Sequence, residues 1–223
     1  DGSGGGDGDG EEEERWDDVA DGPDPRRWVR GGLLDVPDEA LDEEDDGIMD
    51  DNDDDGPCWG LTDDATLDLC RTPHPALMEF ECILSRLFSD DYVATRLPEA
   101  VLGSSVSPLA ANAPTHGDDF DYHIDADPYL APPSPWTDVY GRYPNRAYGK
   151  PRFVSCLAYL NDEWDGEKWG GPTRFLDPPT GATYDVTPRP GRVVVMDQDA
   201  SHTVVPPLEG AGRRPRYSLV WKL

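Results

Sequence analysis

The chain has 223 residues, enough to form one ordinary hydrophobic core, and it carries 47 acidic against 19 basic residues, a net charge of −28 at pH 7. Because binding to phosphate backbones requires clusters of Lys and Arg that this sequence lacks, the composition argues against a general affinity for nucleic acid. The sequence contains no run of 18 apolar residues, so no membrane span is expected.

The first 64 residues hold most of the negative charge. They contain 26 Asp and Glu against four Arg, a net charge of −22, in Gly-rich runs such as DGSGGGDGDGEEEE. A segment of this kind buries too little apolar surface to offset the entropy lost on ordering. We therefore interpret residues 1–64 as an acidic extension that is disordered or docked on a partner, and a basic protein is the partner that its charge fits. The globular part is expected over residues 65–223.

Targeting and cysteine patterns leave the cellular compartment open. No signal peptide is visible, and because the chain begins at Asp1 without Met, a targeting segment that had been removed would leave no trace. The four cysteines do not have the spacing of a zinc site, and their even number does not establish disulfides. These cysteines are Cys58, Cys70, Cys82 and Cys156.

Helical periodicity is clearest in the segment PALMEFECILSRLF. Its apolar residues recur at spacings of three and four, which predicts one amphipathic helix, and a second helix is expected after the SDD that follows. The residues of the apolar face are Leu77, Phe80, Ile83, Leu84, Leu87 and Phe88. We expect helical support over residues 75–102.

After Gly103 the pattern changes to short β-like runs separated by Pro, Gly and Asp. Strands are predicted at VSPLAAN, DFDYHID, RFVSCLAYL, TRFLD, GRVVVMD and RYSLVWKL. Several short strands after a helix predict an α+β fold, with helices packed on an antiparallel β-sandwich or barrel over residues 103–223. The Pro-rich and Tyr-rich connection at residues 126–151 has no periodicity, and loops of this length are usually functional or mobile.

The stretch DYHIDADP contains two candidate metal ligands. Since side chains alternate along a strand, His123 and Asp125 would point to the same face. One imidazole and one carboxylate are two members of the two-His-one-carboxylate triad, which binds Fe(II) and leaves coordination positions open. His202, which lies just past the β-branched run GRVVVMD, could supply the third ligand if the two segments face each other. Either motif alone occurs by chance in many chains, but the combination favours a metal site.

The C-terminal strand contains a candidate anion-binding side chain. In RRPRYSLVWKL, alternation places Arg216 and Ser218 on one face and Leu219 and Trp221 on the other. An inward guanidinium with a serine beside it is suited to binding a carboxylate. The alternative is that Arg216 reaches solvent or pairs with one of the many acidic residues.

Taken in chain order, the motifs His-x-Asp, Tyr-Leu-Asn, Gly-Gly, distal His and Arg-Tyr resemble those of the iron and 2-oxoglutarate dependent dioxygenases. The resemblance is specifically to the prolyl 4-hydroxylase branch, which includes the oxygen-sensing prolyl hydroxylases. It covers roughly residues 110–223 and is strongest in CLAYLNDEWDGEKWGGPTRFLDP and RYSLVW. The resemblance implies a double-stranded β-helix (jelly-roll) core with supporting N-terminal helices. It also implies Fe(II), 2-oxoglutarate, dioxygen and ascorbate as cofactors and cosubstrates.

The same resemblance implies roles for individual residues. The catalytic iron ligands would be His123, Asp125 and His202. Arg216 would pair with the distal carboxylate of 2-oxoglutarate, Tyr159 would donate a hydrogen bond to that carboxylate, and Ser218 would assist. Alternation in RFVSCLAYL independently places Tyr159 on one face with Phe153, Ser155 and Leu157. Gly170 and Gly171 would serve the turn that opens the next strand.

The sequence departs from the family pattern in two places. Where the family usually has a Tyr about ten residues before the first iron ligand, this chain has Ala113. The connection at residues 126–151 is also longer than in the oxygen sensors. Both departures bear on the choice of target more than on the binding of iron.

The predicted function is hydroxylation of a protein or peptide side chain, with proline as the favoured residue and residues 126–151 covering an extended peptide. One alternative is a noncatalytic subunit that keeps the fold and uses its acidic extension to grip a larger assembly. Another is a hydroxylase of a small molecule. A cupin-type or histone-demethylase-like oxygenase is a further alternative, although those proteins do not usually place the cosubstrate Arg on the strand after the distal His.

Overall fold

The computed structural model describes residues 28–30, 59–72, 74–88, 93–95, 108–118 and 120–223. Its strands are β1 (Trp28–Arg30), β2 (Trp59–Leu61), β3 (Leu109–Asn112), β4 (Val154–Tyr159), β5 (Thr173–Asp177), β6 (Ala182–Val186), β7 (Val193–Asp197), β8 (His202–Val204) and β9 (Ser218–Lys222). Its helices are α1 (Asp63–Arg71), α2 (Pro75–Leu87), α3 (Pro135–Tyr140) and α4 (Gly166–Trp169), with a 3₁₀ turn at Glu209–Ala211. No helix in these described ranges is both long enough and apolar enough to cross a membrane.

The strands form two antiparallel sheets. The larger sheet has six strands in the order β1-β2-β3-β9-β4-β7, and the smaller has three in the order β6-β5-β8. In the larger sheet, β9 lies between β3 and β4, and Ser218 pairs with both Asn112 and Tyr159. The strand β9 is therefore an inner strand of the larger sheet. The helices pack on one of its faces and the smaller sheet packs on the other.

One face of the larger sheet packs on the helices. Leu219 and Trp221 of β9 share a buried cluster with Leu77 and Leu84 of α2. The ring of Phe80 lies 5.3 Å from that of Trp221, measured between centroids. Full burial of a Leu side chain stabilises the fold by roughly 1.5–3 kcal/mol, so these contacts hold α2 on the sheet.

The other face of the larger sheet meets the smaller sheet. Leu157, Tyr159 and Val220 form a buried cluster with partly buried Val186 of β6. Two antiparallel sheets packed in this way, with helices on the outside, form a jelly roll, as the sequence predicted. The expected alternation of β9 is also observed, because Ser218 and Val220 face inward while Leu219 and Trp221 face the helices.

Several details differ from the expectations. The segment DFDYHID is not a strand, because only His123 makes a β-bridge, to His202. The strands β6 and β8 were not predicted. β6 is an exposed edge strand after a Pro-Gly turn, and β8 is only three residues long, so neither has a clear apolar pattern. Of the helical support expected at residues 75–102, the helix covers Pro75–Leu87. The region after SDD is described only at residues 93–95, which are not helical.

Two short segments of the acidic extension belong to the larger sheet. β1 pairs with β2, and Gly60 of β2 pairs with Asn112 of β3. The ring of Trp28 also lies 5.3 Å from that of Tyr217. The sheet therefore extends across the boundary expected at residue 64. The other residues of the extension before Trp59 lie outside the described part of the chain.

Candidate metal centre

Three side chains from two distant segments of the sequence converge in space. His123, Asp125 and His202 each offer one ligand atom, and these atoms all lie within 4.8 Å of one another. The Nε2 atom of His202 lies 3.9 Å from Oδ1 of Asp125, and the two imidazole rings are 4.4 Å apart between centroids. A set of two imidazoles and one carboxylate at this spacing can bind a single divalent cation.

Backbone hydrogen bonds hold the two ligand-bearing segments together. The amide of His123 donates to the carbonyl of His202 and the amide of His202 donates back, both at 2.9 Å. The amide of Asp125 donates to the carbonyl of Gln198 at 2.9 Å. His123 and Asp125 lie on the same face because a locally extended backbone carries them, although only one residue there makes a β-bridge.

Hydrogen bonds to the imidazoles determine which ring nitrogen is available. Nδ1 of His123 donates to the carbonyl of Asp121 at 3.0 Å, and Nδ1 of His202 donates to the carbonyl of Ala200 at 2.9 Å. Because a carbonyl oxygen can only accept, both Nδ1 atoms carry a hydrogen, and in the neutral form of each ring Nε2 is the atom that holds the lone pair a metal requires.

The surroundings of Asp125 and His202 also favour the binding of a cation. Ser155 of β4 donates a hydrogen bond to Oδ2 of Asp125, and Oδ1 faces His202. Burial lowers the pKa of His202 below its ordinary value, and the nearby His123 acts in the same direction, whereas Asp125 opposes the shift. The neutral imidazole that burial favours is the form that binds a metal.

Arg216 is fully buried between the two sheets. Its Nη2 donates to Oγ1 of Thr173 at 2.9 Å, and its guanidinium carbon lies 4.8 Å from the ring centroid of Tyr159. Gly171 has φ +69°, and a Cβ atom there would lie 3.2 Å from Cδ of Arg216. The glycine therefore serves both the turn and the close approach of the arginine.

The hydroxyl of Tyr159 takes part in a chain of hydrogen bonds. It donates to the carbonyl of Val186 at 3.1 Å and lies 2.8 Å from Oγ1 of Thr173. Since this phenol has one hydrogen, Thr173 donates to Tyr159 and accepts from Arg216. The hydroxyl of Ser218, on the same face of the sheet, is buried and makes no hydrogen bond within the described residues.

Of the residues singled out in the sequence, the structure brings the three expected metal ligands together and buries Arg216, Tyr159 and Ser218 on one inner face. Sequence reasoning missed the contact of Ser155 with Asp125 and the role of Thr173. Alternation had already placed Ser155 with Tyr159, and Thr173 opens the strand after the Gly pair, but neither signal identifies a partner.

Ala113, at the position where a Tyr was expected, is fully buried. The connection at residues 126–151 contains α3, which begins at the Ser134 cap with reciprocal bonds between Ser134 and Thr137. Its last part is tied to Phe153 at the entry to β4 by Asn145. This connection is therefore structured, with its end fixed beside the candidate site.

Comparisons with known proteins identify the family. The family model of the 2OG-Fe(II) oxygenase superfamily matches residues 109–221 of this chain. A search of the curated proteins finds no match.

Solved structures similar to this chain include three prolyl hydroxylases. A prolyl-4-hydroxylase from Pseudomonas putida is 21% identical, with 67% of this chain and 65% of that chain covered and a TM-score of 0.39. A prolyl hydroxylase from Trichoplax adhaerens, in complex with a hypoxia inducible factor oxygen degradation domain peptide fragment, is 17% identical, with coverage of 66% and 56% and a TM-score of 0.39. A prolyl 4-hydroxylase from Phytophthora capsici is 26% identical, with coverage of 66% and 42% and a TM-score of 0.37.

In each of these comparisons, less than two thirds of the other protein's length is matched. The superfamily match spans more than half of the 223 residues and includes all three converging side chains. The chain belongs to the 2OG-Fe(II) oxygenase superfamily.

Proposed function

We propose that this protein is an Fe(II)- and 2-oxoglutarate-dependent dioxygenase that hydroxylates a protein or peptide side chain, with proline as the favoured residue. The observation that carries the proposal is the convergence of His123, Asp125 and His202 in a chain of this superfamily. Their neutral nitrogen and carboxylate donors suit Fe(II). When bound, iron supplies the activation of dioxygen that is coupled to the oxidative decarboxylation of 2-oxoglutarate.

The residues around Arg216 fit a dicarboxylate cosubstrate. β4 joins the two halves of the site, because Ser155 contacts Asp125 while Tyr159, four residues along the same face, contacts the Thr173 that Arg216 binds. Because four residues of strand span roughly 13 Å, Ser155 and Tyr159 mark the metal end and the cosubstrate end of one site. The buried hydroxyl of Ser218 is a polar group that a ligand oxygen would satisfy.

The chain's own residues then have three tasks. The ligand triad holds the metal at one position. Arg216, with the buried hydroxyl of Ser218 on the same face, binds the distal carboxylate of 2-oxoglutarate. Tyr159 donates to that carboxylate only if its hydroxyl gives up its hydrogen bond to the carbonyl of Val186. A charge-assisted pair in this buried setting contributes about 1.5–3 kcal/mol to cosubstrate binding. The two sheets exclude water from the guanidinium, which strengthens its attraction for the carboxylate.

Two observations support a peptide substrate. The order of motifs resembles that of the prolyl 4-hydroxylase branch. The connection at residues 126–151 leaves Asp125 and enters β4, so both of its ends lie at the site and it is placed to cover an extended peptide. Ascorbate as a reductant belongs to the same proposal. So does a basic protein partner for residues 1–64, for which the net charge of −22 is the support.

The test is succinate formation by the full chain loaded with Fe(II) and supplied with 2-oxoglutarate. We expect a Pro-containing peptide to stimulate succinate release and to gain one oxygen atom on proline, as measured by mass spectrometry. The same peptide with Ala in place of Pro is the matched control. Stimulation by a free small molecule, with none by any peptide, would instead assign the protein to small-molecule hydroxylation.

A noncatalytic subunit is the second candidate, and the specific observation behind it is the fully buried Ala113 where an aromatic residue was expected. Metal and 2-oxoglutarate titrations separate the two candidates, because a scaffold has no need to bind either. Failure of the folded full chain to bind either ligand would favour the scaffold, whereas binding of both together with succinate formation would favour the enzyme.

A further inference from the structure

The four-residue turn Asp197–Ala200 contacts two of the metal ligands. The carbonyl of Gln198 accepts from the backbone amides of Asp125 and Ala126, at 2.9 and 3.3 Å. The carbonyl of Ala200 accepts from Nδ1 of His202 at 2.9 Å. This turn therefore sets the backbone position of one ligand and the ring orientation of another.

The connection at residues 126–151 holds the same turn from its other side. Nδ2 of Asn145 donates to Oδ1 of Asp199 at 3.2 Å. Arg146 donates from Nη1 to Asp197 at 3.2 Å and from Nη2 to Asp199 at 2.9 Å. Both acidic side chains of the turn are thus bound by neighbouring residues of the connection.

Asn145 differs from Arg146 in being buried, with only 2% of its surface exposed. Its Nδ2 donates to the carbonyl of Phe153 at 2.8 Å, and its Oδ1 accepts from the amide of Phe153 at 2.7 Å. The same carbonyl of Phe153 accepts from the amide of Gln198 at 3.1 Å. One buried amide therefore links the connection, the start of β4 and the turn that orients the metal ligands.

We propose that Asn145 is a positioning residue of the metal centre, so that the 126–151 connection helps to form the metal site in addition to any role in covering a substrate. This inference rests on the proposed function, because it concerns the same metal. Buried amides with all their bonds satisfied specify one geometry, whereas the exposed pairs of Arg146 are screened by solvent and contribute less.

Asn145→Asp is the variant that tests this role. It keeps the size of the side chain and an oxygen for the amide of Phe153, but it removes both Nδ2 donors and places a carboxylate against Asp199. Residues that hydrogen-bond directly to metal ligands typically change metal affinity 10- to 100-fold, and because Asn145 acts through the turn that makes such bonds, the lower end of about 10-fold applies. We expect about that loss in a Co(II) titration of the metal-free full chain without cosubstrate, and faster hydrogen exchange at the amide of Asp125.

Arg142→Ala is the matched control. Arg142 lies in the same connection and donates from Nε to the carbonyl of Ala131, so the change removes a bond internal to the connection and none to the turn. We expect its Co(II) affinity to equal that of the parent. Arg146→Met, at an exposed position, should weaken Co(II) binding about two- to fivefold, in line with surface ion pairs. If Asn145→Asp does not fold, an unchanged Co(II) affinity in Arg146→Met overturns the role of the connection in the metal site.

The outcomes separate the two levels of inference. A parent chain that binds no Co(II) overturns the proposed function and this inference with it. A parent that binds Co(II), together with a folded Asn145→Asp variant of equal affinity and unchanged exchange at Asp125, overturns the positioning role alone. A lower melting temperature with unchanged Co(II) affinity would likewise reduce Asn145 to a purely structural residue.

Discussion

At the scale of single residues, the metal centre depends on which atom each side chain presents. Backbone carbonyls at Asp121 and Ala200 bind the Nδ1 atoms of the two imidazoles, and Ser155 binds one carboxylate oxygen of Asp125. The ligand atoms that these bonds leave available all lie within 4.8 Å of one another. Because the orienting groups already make these bonds, the site is largely preorganised for a cation.

Replacement of Asp125 should remove turnover. Asp125→Ala takes away the only carboxylate of the triad, so we expect loss of both succinate formation and the visible absorption of bound Co(II). Asp121→Ala is the control, because it removes a carboxylate two residues before His123 while keeping the carbonyl that binds the ring. Equal activity in Asp125→Ala and the parent would refute the iron assignment.

Replacement of Arg216 should act on cosubstrate affinity. Arg216→Lys keeps a positive charge but loses the planar fork that can bind a carboxylate through two bonds. We expect the Kd for 2-oxoglutarate, measured by calorimetry with Mn(II) present, to rise roughly 10- to 100-fold, in line with 1.5–3 kcal/mol. The control is Arg213→Lys at an exposed position nearby. An unchanged Kd in Arg216→Lys would place the cosubstrate elsewhere.

Lys222 is fully buried, and burial lowers its pKa from 10.5 to about 8. The unfolded chain therefore binds this proton more tightly than the folded chain, which costs stability below pH 8 and ceases to do so above pH 10.5. We expect the stability of Lys222→Met relative to the parent to fall by up to about 3 kcal/mol between pH 8 and 10.5, because only the parent loses this penalty there. Urea unfolding at several pH values measures this fall. A stability difference between the variant and the parent that does not depend on pH would contradict the lowered pKa of Lys222.

Residue types and spacing suggested the triad and an inward Arg216, and the order of motifs that resembles the dioxygenase family chose these interpretations over their alternatives. His-x-Asp or a distal His alone occurs by chance in many chains, and alternation alone left open whether Arg216 faces inward or reaches solvent. The bond from Tyr159 to the carbonyl of Val186 could not be predicted, because it depends on how the two sheets face each other. The contact of Ser155 with Asp125 has the same origin, since the two residues lie on segments that are not adjacent in sequence.

At the scale of whole elements, alternation predicted β4 and β9 well. Both are inner strands of the larger sheet, and each has one face toward the helices and one toward the smaller sheet. It failed for the segment around His123, where one bridge to His202 replaces a ladder. The short β8 and the exposed β6 have no apolar face of their own, and they exist through pairing with β5. Such strands are determined by their neighbours more than by their own residues.

The caps of the first two helices provide a matched pair of tests. Thr62 caps α1 with its side chain, whereas His74 occupies the cap position of α2 without a side-chain hydrogen bond to the helix. Thr62→Ala should therefore lower, and His74→Ser should raise, the free energy of unfolding, each by about 1 kcal/mol. Chemical denaturation checks both. Destabilisation by His74→Ser would show that the imidazole has another stabilising contact.

At the scale of the whole molecule, the jelly roll brings the two ends of the site into one interior, so metal and cosubstrate should stabilise the fold together. A ligand at one hundred times its Kd adds about 2.7 kcal/mol to the stability of the folded state. We expect Mn(II) with 2-oxoglutarate to raise the melting temperature more than the sum of the two separate effects. Excess EDTA should reverse the shift. Simple additivity would indicate that the two ligands bind independently.

The entry of β1 and β2 into the larger sheet has a practical consequence for where the protein can be shortened. A truncation placed at the change in composition near residue 64 would strip two strands from the sheet and leave the polar backbone edge of β3 uncovered. Bare edges of this kind recruit other chains and lead to aggregation. An expression variant intended for crystallisation should therefore start ahead of Trp28, even though the retained stretch is the most acidic part of the polypeptide.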